Sequence, residues 1–131
     1  MLWAALLTAP FLVPRTWAYE ALPPLESDSI LYTSIDTPEA LIRYYAKEYG
    51  LSGRTTEQAV EIARCESDFV EDAVGDGGHS FGIAQIHLPA HPDITVEQAT
   101  NKYFATWFLV SQISEGNMWK WTCARILGYV E

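Results

Sequence analysis

One glutamate stands out in this 131-residue sequence for what its position could do. Ala59, Ile62, Ala63 and Glu66 fall at i, i+3, i+4 and i+7, so Glu66 continues the apolar face of a helix predicted over residues 55–66. Glu57 and Glu61 point elsewhere and read as ordinary surface acids. A carboxyl on an apolar face loses hydration, which disfavours its charged form and raises its pKa. Held protonated beside a cleft, it can deliver a proton to a glycosidic oxygen. The alternative is a rim carboxylate paired with Arg64 or Arg125. Asp76 is the best second carboxylate. It could activate a water in an inverting hydrolysis, which needs the two groups about 6.5–9.5 Å apart, or it could simply make the tight turn Asp76-Gly77-Gly78.

Other chemistries fit less well. His79, His87 and His91 match no common metal-site spacing and read as polar loop residues. Neither a metal nor a cofactor is expected. The glycines at 75, 77, 78 and 82 lack the lysine of a phosphate loop. Trp119 and Trp121 suit either sugar stacking or the core. The net charge of −9 with no basic block argues against nucleic acid and against an anionic lipid surface.

The elements that must position these residues follow from punctuation and period. Thr37 as N-cap and Pro38 at the first position open a helix whose face is Leu41, Ile42, Tyr45 and Tyr49, ended by Gly50. After the Glu66 helix, residues 73–82 carry a small hairpin or irregular β segment. Residues 83–87 read as a short helix or turn, and 88–94 as a loop broken by Pro89 and Pro92. Thr95 caps a short helix, and residues 103–113, apolar on most sides, make a buried core helix ended by Gly116-Asn117. A last helix is predicted over 119–127. The fold class is therefore mainly α, with a small β segment after the Glu66 helix.

At 49% hydrophobic and 13% aromatic the chain can build one core. Residues 1–18 read as a signal peptide: an apolar run over 2–13, then Thr16-Trp17-Ala18 with small residues at −3 and −1. The n-region lacks Lys and Arg, and an uncleaved anchor is the alternative. Either way the domain lies outside the cytoplasm, secreted or periplasmic at the cell envelope, with no stable membrane span expected after cleavage. Residues 19–36 read as a linker and 37–131 as the domain. Cys65 and Cys123 show no zinc or CxxC spacing. In an exported chain such a pair forms one disulfide; two buried free thiols is the alternative.

Three segments, Ala63-Arg64-Cys65-Glu66-Ser67-Asp68-Phe69, Ala73-Val74-Gly75, and Ser80-Phe81-Gly82-Ile83-Ala84-Gln85-Ile86, resemble in order and distance the lytic transglycosylase (SLT-type) domain. Its pattern is Glu-Ser-x-Phe, Ala-Val, then Ser-x-Gly-Leu-Met-Gln-Ile. The resemblance implies a lysozyme-like fold and cleavage of peptidoglycan between N-acetylmuramic acid and N-acetylglucosamine, giving 1,6-anhydro-muramic products. It makes Glu66 the catalytic acid and Ser67 its hydrogen-bonding support. It also makes Ser80 and Gln85 sugar-contacting residues and Gly82 a point of close backbone approach to the glycan. The string at residues 75–87 is similar to goose-type lysozymes, which carry an Asp at the place of Asp76 and another at the place of His87. The Ala-x-Cys-Glu-Ser string resembles resuscitation-promoting factors, whose two cysteines pair, and this implies a Cys65–Cys123 bond. The sequence departs from the transglycosylase pattern at Val70-Glu71, where Asn-Pro is usual, and at Ile83-Ala84. No Ala-Tyr-Asn-Ala-Gly-like string occurs, which leaves a helper tyrosine to Tyr103 or Tyr129. A lysozyme-like module that binds glycan or another protein without cutting is the rival expectation.

Overall fold

A computed structural model describes residues 35–131. The signal peptide and nearly all of the 19–36 linker lie outside the described residues. The domain is mainly helical, with helices α1 (Pro38–Glu48), α2 (Gly53–Ser67), α3 (Val96–Thr100), α4 (Lys102–Ser114) and α5 (Thr122–Ile126). Between α2 and α3 lies an antiparallel sheet of three two-residue strands in the order β1 (Val74–Gly75), β2 (Ser80–Phe81), β3 (Ile86–His87). None of the described helices is long and apolar enough to cross a membrane.

The α4 helix is the centre. Phe104, Ala105, Phe108, Leu109, Val110 and Ile113 are buried on several of its sides, as its all-round apolarity requires. α1 packs on α4 through Leu41, Ile42, Tyr45 and Ala46. Thr37 caps α1 by accepting the Ala40 N–H at 3.2 Å, and Pro38 occupies the first turn. Tyr49 is not in the core: it is exposed, and its hydroxyl accepts the Trp107 indole N–H at 2.8 Å. The short α3 carries a full capping box between Thr95 and Gln98.

Four segments differ from the sequence expectation. α2 begins two residues early, because Ser52 rather than a later residue caps it, accepting the Thr55 N–H at 3.1 Å. Residues 83–85 form the expected turn, but Ile86 and His87 are a strand, not helix. Gln85 reverses the chain at φ +46, and Ile86 then pairs with Phe81 and His87 with Ser80. The loop at 88–94 holds a 3-10 turn, Leu88–Ala90. The largest difference is at 119–127, where one predicted helix is two pieces: a 3-10 turn Met118–Lys120, then α5. Trp121 between them is extended (φ −89, ψ 130) and buried, its indole N–H donating to the Ala84 carbonyl at 2.9 Å. Anchoring that side chain takes residue 121 out of helical conformation.

Cys65 and Cys123 form a disulfide across 58 residues of sequence, which joins the end of α2 to the start of α5. The pairing implied for these cysteines is present.

Candidate active site

Glu66 lies in the last turn of α2, half-buried at one wall of an open cleft of about 470 Å³. The acids Glu66 and Asp76 face into this cleft with Ser80, Gln85, His87 and His91. Trp119, Lys120, Trp121 and Thr122 complete the wall supplied by the chain leading into α5.

The Glu66 carboxyl is held from an unexpected quarter. Its Oε1 accepts the backbone N–H of Cys123 at 3.0 Å. That N–H is free because α5 starts at residue 122, so it belongs to the unpaired first turn of a helix. One continuous helix over 119–127 would have sent it to the Trp119 carbonyl. Instead the Arg125 guanidinium donates to that carbonyl at 2.9 Å. The break at Trp121 and the disulfide at Cys123 therefore both serve to place one donor on Glu66.

Burial pushes the Glu66 carboxyl above its ordinary value, and the nearby charge of Asp76 pushes it further; the Cys123 hydrogen bond opposes them. Among the described residues Glu66 makes no ion pair. Arg64 lies 3.6 Å from Glu39 and over the Phe69 ring, and Arg125 serves Trp119. The reading of Glu66 as a paired rim carboxylate does not hold in this structure.

Asp76 shares the cleft but is tied. The Ser80 hydroxyl donates to its Oδ2, and the same hydroxyl oxygen lies 3.1 Å from His87 Nδ1. A carboxylate only accepts, so the single Ser80 proton goes to Asp76 and the His87 Nδ1–H donates to Ser80. Asp76 adopts φ +50 in its turn, and its carbonyl lies 2.8 Å from His79 Nδ1. It makes the turn and also lines the cleft.

Ser67 and Gly82 do not line the cleft. The Ser67 hydroxyl donates to the Ile83 carbonyl at 2.8 Å and lies 3.3 Å from the Ala63 carbonyl, so it clamps the end of α2 to the turn at 82–85 instead of touching the Glu66 carboxyl. Gly82 is buried at φ +76, and a Cβ there would come within 1.9 Å of the Ala99 carbonyl. The close approach it permits is to α3, not to a ligand. Gln85 faces the cleft while its amide donates to the carbonyls of Gly82 and Ala73 at 3.0 and 3.3 Å. Tyr103 donates to Asp36 at 2.9 Å, and neither Tyr103 nor Tyr129 lines the cleft.

The two tryptophans separate. Trp121 is buried, whereas Trp119 is 56% exposed on the cleft wall, where a flat ring can stack on a sugar. Sequence reasoning did not single out Lys120, which carries no motif, and read His91 as a polar loop residue. Among the described residues no group of three His, Cys, Asp or Glu is placed to hold a metal ion. No protein-family model, curated protein or solved structure matches the chain.

Proposed function

We propose that this chain is an exported lytic transglycosylase of lysozyme-like fold that cuts the β-1,4 bond between N-acetylmuramic acid and N-acetylglucosamine in peptidoglycan. The observation that carries the reading is Glu66: a half-buried carboxyl in an open cleft, raised by desolvation, that makes no ion pair among the described residues. The exposed Trp119 supplies a sugar platform in the same cleft. The disulfide suits an oxidising compartment outside the cytoplasm.

The reactive form is the one with Glu66 protonated, which the raised pKa favours. It gives its proton to the glycosidic oxygen as the bond from that oxygen to the muramic C1 breaks. The resulting carboxylate then takes the proton of the muramic 6-hydroxyl as O6 closes on C1. Glu66 ends protonated, no water is consumed, and the product carries a 1,6-anhydro end. One carboxyl suffices for both halves. The presence of Asp76 in the same cleft favours a second reading, inverting hydrolysis with Asp76 activating water. Digestion of purified peptidoglycan followed by product mass separates the two, since hydrolysis adds one water to each new muramic end.

The raised Glu66 pKa sets a pH dependence. The acid form is present below that pKa, so cleavage falls as pH rises through it, and this alkaline limb lies above the ordinary value for a glutamate carboxyl. Stability follows the same sign. A carboxyl with a raised folded-state pKa contributes stability below its unfolded value and loses it as pH rises through the folded value. Urea denaturation across that window should show the parent weakening relative to Glu66→Gln as pH rises. Parallel pH curves for the two proteins would remove the desolvated carboxyl from the account.

A further inference from the structure

Among the described residues, Lys120 is the one lysine or arginine that lines the cleft. It makes no ion pair among the described residues, and its ammonium donates to the neutral Gln112 side chain at 3.1 Å. Away from the cleft, Arg43 pairs with Glu39 and Glu57, Arg64 with Glu39, and Lys102 with Asp36. In a chain of net charge −9, a cation left without an acid beside a cleft is conspicuous.

It is not alone there. His87 and His91 line the same cleft. Burial holds His91 below its ordinary value, and the charges of Lys120 and His87 act in the same direction, so His91 is shifted toward a neutral hydrogen-bonding ring. Of the two cleft acids, Glu66 is pushed toward its uncharged form. Asp76 lies 3.8 Å from His87 Nδ1 and accepts from Ser80, so Asp76 is matched with His87 and the Lys120 ammonium is the cleft cation left without an acid. The exposed Trp119 ring lines the same cleft, so a sugar stacked on it would share the cleft with the ammonium.

We propose that the Lys120 ammonium, lining the cleft beside the exposed Trp119, forms an anion subsite that recognises a carboxylate carried by the glycan strand. The inference rests on the glycan-cleaving reading of the cleft and adds to it what kind of strand is preferred. In peptidoglycan that carboxylate is either the lactyl group of a peptide-free muramic acid or one on the stem peptide that amidates it. A chitin-type oligomer of N-acetylglucosamine carries neither.

The test uses full-length Glu66→Gln protein, so that binding is read without cutting. It is titrated by calorimetry at low salt with three probes of equal length. These are a chito-oligosaccharide, a peptide-free N-acetylglucosamine–N-acetylmuramic acid oligomer, and the same oligomer bearing stem peptides. A carboxylated probe should bind about fivefold more tightly than the chito-oligosaccharide, the scale of a solvent-exposed charge pair. The ratio should shrink as salt rises, a readout that needs no variant at Lys120. Adding Lys120→Gln should close the ratio, and Lys120→Arg should keep it. A full ratio with the peptide-free oligomer assigns the lactyl carboxylate; a ratio seen only with peptides assigns the stem. Equal affinities, a ratio that survives Lys120→Gln or high salt, or no binding of any probe overturns the subsite. Failure of the parent protein to cut peptidoglycan would instead overturn the enzymatic reading while leaving the binding ratio intact.

Discussion

Replacing Glu66 with Gln should lower the release of soluble fragments from peptidoglycan by about 10²–10⁴-fold, the range that general acid–base catalysis contributes. The substitution is nearly isosteric, and the Gln carbonyl oxygen can still accept the Cys123 N–H that now meets Oε1 at 3.0 Å. The fold and the thermal midpoint at acid pH should therefore change little, while the transferable proton is gone. A loss of activity matched by a loss of folded protein would point to structure and not chemistry. The comparison is clean because Glu66 holds no arginine or lysine whose partner would be stranded by the change, among the described residues.

The second large effect is expected at the disulfide. Cys65 and Cys123 close a loop of 58 residues, and in the chain-entropy model such a bond is worth about 4 kcal/mol. Against the roughly 5–15 kcal/mol that a small domain has in total, that is a large share. The paired Cys65→Ser and Cys123→Ser variant should unfold at markedly lower urea than the parent. Activity should fall by more than the folded fraction accounts for, because Cys123 also supplies the N–H that holds Glu66. Equal urea midpoints for the bonded and bond-free proteins would show that the link does not constrain the unfolded chain.

Much of the scaffold was legible because local signals and tertiary packing agree. Thr37-Pro38 opens α1, Thr95 with Gln98 opens α3, and the apolar run of α4 is buried as its composition demands. The cysteines at 65 and 123 pair as expected. The 119–127 segment misled for a tertiary reason. Nothing in the local sequence forbids a helix through Trp121; the burial of its ring against Ala84 does. That one override frees the Cys123 N–H for Glu66, so the most specific contact of the site was invisible to helical periodicity.

The candidate site divides in the same way. Glu66 was legible from its place on an apolar face, and Asp76, Ser80 and Gln85 do meet it in one cleft. Ser67 and Gly82 lie at the spacing the resemblance gave them, but they work on the scaffold: Ser67 ties α2 to the turn at Ile83, and Gly82 lets that turn press on α3. Lys120 was illegible and His91 read only as a polar loop residue, because a lone lysine and a loop histidine acquire meaning only when a cleft gathers them.

The most direct test is mass spectrometry of the soluble products after purified peptidoglycan is digested by the parent protein and by Glu66→Gln. Fragments from the parent that end in 1,6-anhydro-muramic acid, one water lighter than hydrolytic ends, with almost none from Glu66→Gln, are the predicted result. No fragments from the parent, equal yields from both proteins, or hydrated muramic ends throughout would contradict a transglycosylase built on Glu66.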